Sequence, residues 1–212
     1  MIQHAACVFW ILLVTIPQES DAPGHNPHDM VAFDKFPSDP LLFRADLRAA
    51  IPGIIGRYGM EEWRVSVLTS EIHQHLGIYS VVGAKMGLRA REYFGVGLDK
   101  LQILSHAGLH PPVSCLNDGL QVSTGATLGH GTISVAMERT ALPEAEFIQE
   151  GRRILLCLKP EILKRIREDI ARGVRQYGDL TPAYFDFVRG LSISYWMDLD
   201  RKNIFEIKES GK

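Results

Sequence analysis

Apolar and polar positions change period several times along the chain, and each change marks an element. An apolar run over residues 5–16 comes first. Asp39-Pro40 then opens a helix, with Asp as N-cap and Pro at the first position. Leu41, Leu42, Ala45, Leu47 and Ala49 give that helix an apolar stripe until Pro52-Gly53 interrupts it. Residues 63–69 alternate from Trp63 to Thr69 and read as a strand. Ile78–Phe94 is predicted to be a helix, ended by Gly95 and Gly97. Its Gly83, Ala84, Gly87 and Ala90 form a small-residue face suited to close packing, at some cost in helix propensity. Strands are expected at 101–106 and 132–137, a polar connection at 141–146, and a central strand at 153–158. Pro160 starts an amphipathic helix in which Ile162, Ile166, Ile170 and Val174 recur every four positions. Thr181-Pro182 starts another, carrying Tyr184, Phe185 and Phe187 towards Tyr195-Trp196, and 203–208 reads as an edge strand.

Composition adds little to this pattern. At 212 residues, with 46% hydrophobic and 23% charged, the chain is ordinary globular protein. A net charge of −2 leaves no basic footprint, so no nucleic-acid partner is expected. The run at 5–16 has the length of a signal-peptide core and is too short for a stable membrane span. Pro17 ends it and small residues follow at Ser20-Asp21-Ala22. The reading is an export signal at 1–22, a Pro-, Asp- and His-rich arm at 23–40 and a single domain at 41–212. It implies a periplasmic protein, or a cytoplasmic one if the N-terminus is not a signal. Cleavage would remove Cys7 and leave Cys115 and Cys157, paired or free.

Candidate chemistry is concentrated in residues 114–131, SCLNDGLQVSTGATLGHG, with a thiol, a carboxylate, an imidazole and four glycines. Cys115 and Asp118 are three apart, on one face if the segment is helical. Gly125, Gly129 and Gly131 then force a turn before the strand at 132–137. Upstream, His73-Gln74-His75 follows the expected strand at 63–69. Two imidazoles at i and i+2 of an extended loop point the same way, as two ligands of one metal would. His106 and His110 are further candidates, with His25 and His28 in the arm. Thiolate and imidazole together suit a divalent transition metal, zinc first, with nickel and copper as alternatives.

These residues resemble the central motif of the FmdE family, named for a component of formylmethanofuran dehydrogenase. The matching positions are Cys115, Asp118, Gln121, Thr124, Gly125, Thr127, Gly129 and Gly131. The family's His-x-His-Leu is matched by His73, His75 and Leu76, and the likeness runs over roughly residues 65–158. Three departures stand out. Gly77 replaces the family's Cys, Ile78-Tyr79 replaces Pro-Gly, and His130 replaces a Lys. The cysteines of the zinc-finger extension of longer members are not among this chain's three, so a core-only member is expected.

The resemblance implies an α+β fold, a mostly antiparallel sheet with helices packed against it, and a homodimer. It implies a metal held by His73, His75 and Cys115, with Asp118 as a ligand or as an acceptor that fixes an imidazole, and Cys115 and Asp118 as the catalytic pair. Gly125, Thr127, Gly129 and His130 would line the pocket and hold an anionic ligand through backbone N–H groups. Two functions follow. One is a metal-dependent or redox-associated enzyme related to the FmdE component of formylmethanofuran dehydrogenase. The other is a non-catalytic module that binds a metal or small molecule, such as a metal carrier. The loss of a thiol at Gly77 favours the second, or an altered chemistry.

Overall fold

The structure is a computed structural model describing residues 32–137 and 141–210. The expected export signal, His25 and His28 lie outside the described residues. Six α-helices and five strands follow in the order α1 (Ala45–Arg48), α2 (Ile51–His73), α3 (Ile78–Phe94), β1 (Gln102–Ser105), α4 (Leu116–Thr124), β2 (Ile133–Val135), β3 (Glu144–Gln149), β4 (Arg152–Leu158), α5 (Pro160–Tyr177), α6 (Pro182–Asp198) and β5 (Phe205–Ser210). The strands form one sheet in the order β2-β1-β3-β4-β5. Only β1 and β2 run parallel; the other pairs are antiparallel, with Ile103 opposite Phe147 and Phe147 opposite Ile154. The fold is α+β with a mostly antiparallel sheet.

Burial explains both the correct and the missed elements. On β4, Ile154, Leu156, Cys157 and Leu158 are buried, with Ile154, Leu156 and Leu158 two apart on the face toward the core. They meet Val82 and Met86 of α3, Leu116 and Leu120 of α4, and Ile166 of α5 in the main core. The pattern alone makes β3 a polar connection, and the structure makes it a strand. Its Ala145 and Phe147 are fully buried while Glu144 and Glu146 alternate with them, so two outward acids make a genuine strand look polar.

The expected strand at 63–69 is the second half of α2. Its buried positions are Tyr58, Glu62, Trp63, Val65, Ser66 and Thr69, a helical spacing. Half of that stripe is polar, which hides the period and leaves Val65 and Val67 to suggest alternation. Glu62 is wholly buried because it meets Lys85 Nζ at 2.5 Å and Arg201 at 2.8 Å. Pro52 sits in the first turn of α2, where its missing N–H costs nothing, so it starts a helix rather than ending one. The break in α2 falls instead at Gly59, whose φ of 86° only glycine adopts freely. Asp39 does cap a turn, accepting from Leu41 N at 2.9 Å, but that turn is a three-residue 3-10 helix.

A second core joins α2 to α6, with Trp63 stacked on Trp196 at 5.3 Å. Among the described residues, no helix is long and apolar enough to cross a membrane.

Candidate functional site

Three helix ends meet at one place. α2 closes at His73, and Gln74 takes the left-handed conformation that turns the chain back. His75 follows, and Gly77 caps the start of α3. α4 begins beside them, with Cys115 at its N-cap and Asp118 in its first turn.

Glycines bring α3 and α4 together. A Cβ on Gly83 would collide with the Leu116 carbonyl, and one on Gly119 with the Ser80 carbonyl and Ala84 nitrogen. The two backbones are therefore in direct contact one turn inside the site, as the small-residue face of α3 suggests. Asn117 pins the loop after β1 to α4 by donating to Gly108 O at 2.9 Å and accepting from Ser105 Oγ at 2.5 Å.

His73 Nδ1 lies 2.6 Å from Asp118 Oδ2. A carboxylate only accepts, so Nδ1 carries a proton and Nε2 is the ring nitrogen left for another partner. That Nε2 is buried and, among the described residues, has no hydrogen-bond partner. His75 packs on His73 with ring centroids 4.2 Å apart. Both imidazoles face the backbone of Gly77: a Cβ there would stand 3.1 Å from His75 Nε2 and 3.2 Å from His73 Nε2. Any side chain at position 77 would enter the space before the two nitrogens.

Burial, and then the neighbouring His73, hold His75 below the usual histidine range, so its ring is neutral near pH 7. Burial, and then the Asp118 charge, push the Cys115 thiol up to about 11. A bound cation reverses that balance and favours thiolate. Cys115 and Cys157 are both free.

Two cavities share His73, Pro111 and Cys115. One, of about 350 Å3, is walled by Asn117, Asp118, Gln121 and Val135. The other, of about 230 Å3, is walled by Ile78, Ile170, Tyr184, Phe185 and Val188, and includes His75 and Gly77. Phe185 meets the His75 ring edge-on at 5.7 Å.

The remaining candidates stand apart. Gly125, Thr127, Gly129 and His130 line neither of these cavities. Amides of their turn are used within it: His130 N donates to Thr127 Oγ1 at 3.1 Å and Gly131 N to Leu128 O at 3.1 Å. The His130 side chain is 61% exposed, 3.6 Å from Asp99. His106 sits 3.5 Å from Glu146, and His110 is exposed; neither lines these cavities. Sequence reasoning misses the apolar wall from α5 and α6, because the aromatic stripe on α6 reads equally well as core.

Residues 72–178 match the family described as FmdE, Molybdenum formylmethanofuran dehydrogenase operon. The chain belongs to the FmdE family. The match takes in His73, His75, Gly77, Cys115 and Asp118 and ends two residues before Leu180, so the α6 wall lies beyond it. No curated protein matches the sequence.

Among the described residues of this FmdE-family site, no group of three or more His, Cys, Asp or Glu side chains stands as an assembled metal cage. Two imidazole donors nevertheless face one point. His73 offers an orphaned buried nitrogen whose other ring nitrogen is held by a carboxylate, the usual outer support of a metal-bound histidine. The His75 imidazole, held below the usual histidine range by burial, faces the same point.

Proposed function

We propose that this FmdE-family protein binds one divalent transition metal, zinc first, through Nε2 of His73 and His75, with Cys115 as a third ligand. We read it as a metal-dependent protein acting on a small molecule. The observation that carries this reading is the buried, unpartnered Nε2 of His73, because leaving such an atom unsatisfied costs about 1–3 kcal/mol. Three protein ligands leave a position for substrate, and the bare backbone at Gly77 leaves room for it. The metal would act there as a Lewis acid on the bound molecule. Asp118 orients His73 and, by holding the proton on Nδ1, leaves Nε2 as the nitrogen that would meet a metal. Cys115 stands where the two cavities meet and loses its proton on binding a cation. The apolar wall excludes water from one side.

Enzyme is preferred to carrier because both imidazoles face a cavity rather than a closed ligand shell. Cobalt(II) titration tests the site. The wild type is expected to take up one equivalent with visible d–d bands, and His73→Ala is expected to lose them. Uptake that is unchanged in His73→Ala would sink the reading.

A further inference from the structure

The smaller cavity carries a ligand assignment that rests on the metal reading and goes beyond it. Its walls are Ile78, Ile170, Leu180, Tyr184, Phe185 and Val188, and the imidazoles of His73 and His75 line it as well. Among the described residues, no Asp, Glu, Lys or Arg lines it. Away from the proposed metal, the extra charges of a phosphate, a nucleotide or a polycarboxylate would therefore find no partner on the walls, and burying an unpaired charge is costly. Tyr79, also on the wall, interacts with Arg167 through its side chain, which leaves that part of the lining mainly its ring.

Size narrows the choice. An apolar cavity of about 150 Å3 accepts benzene. At about 230 Å3, this one holds a single six-membered ring or a branched aliphatic chain with a short head group. The unpartnered His73 Nε2 marks where that head must lie.

We infer that this cavity is the substrate pocket, and that it takes a small uncharged aromatic or branched-aliphatic body bearing one metal-binding head. Leu180 and, on α6, Tyr184, Phe185 and Val188 lie beyond residues 72–178, so these residues add to the wall that Ile78 and Ile170 supply within the part shared with the family.

The test compares imidazole with 4-phenylimidazole on cobalt(II)-loaded full-length protein, read by the shift of the d–d bands. The head is the same in both, and only the second carries a ring to bury. The expected result is at least tenfold tighter binding of 4-phenylimidazole. Val188→Trp fills the cavity, and Leu180→Glu puts a charge on a residue that is 68% exposed and so does not depend on core repacking. Both variants are expected to take up cobalt and to lose the tenfold preference, read as the ratio of the two affinities within each variant. Equal affinity for the two ligands in the wild type would overturn the inference and leave the metal site standing. A preference that survives in both variants would overturn the choice of this cavity. Failure of the wild type to bind cobalt would overturn the metal reading and this inference together.

Discussion

Asp118 holds the Nδ1–H of His73 at 2.6 Å, and that one contact decides which ring nitrogen is left for a ligand. Asp118→Asn keeps the shape but loses the charge that supports the imidazole. Metal affinity is expected to fall by about 10- to 100-fold with unfolding unchanged, measured by competition with a chromophoric chelator. At this scale the sequence is most informative. Spacing places Cys115 and Asp118 on one helical face, and both line the cavity that also contains His73. The pairing of Asp118 with His73 is not legible, because no spacing rule links positions 45 residues apart. Of the turn from Gly125 to Gly131, read from its glycines as an anion cradle, the His130 and Gly131 amides have partners within the turn itself.

Helix α3 is readable to its ends, because Gly77 and Gly95 bracket an unbroken helical run. Its glycines are not loop signals. They let α4 lie on the backbone of α3, and so set the distance between Gly77 and Cys115. Gly119→Ala would press a methyl into the Ser80 carbonyl. Overpacking costs about 1–3 kcal/mol and the gain in helix propensity returns up to about 1, so a net loss of roughly 2 kcal/mol is expected in urea unfolding. Gly53→Ala is the control, since a Cβ there meets nothing within 4 Å and should be neutral or stabilising. The missed elements share a physical cause. On both α2 and β3, polar residues break the apolar pattern, buried Glu62, Ser66 and Thr69 in one and outward Glu144 and Glu146 in the other.

Across the whole molecule, a buried charge network ties α2 to α3 and to the turn after α6. Lys85, wholly buried with Glu62, has its pKa lowered, first by burial and against the pull of Glu62. Arg201 reaches both Glu62 and Glu92. The network fixes α2 against α3, and with them His73 against Gly77. Lys85→Met leaves Glu62 with Arg201 as its remaining partner, so a loss of about 3 kcal/mol is expected, at the lower end for breaking a buried pair. Chemical denaturation of the metal-free protein checks it. No sequence pattern announces this network, because each member sits alone on its own element.

The central claim is a metal held by His73, His75 and Cys115, and zinc X-ray absorption on stoichiometrically loaded protein tests it most directly. The account predicts two imidazole nitrogens at about 2.0 Å and one sulfur at about 2.3 Å, with the remaining position filled by a light atom. His73→Ala should lose an imidazole from that shell or lose the zinc. A zinc shell without imidazole, or one identical in wild type and His73→Ala, would contradict it.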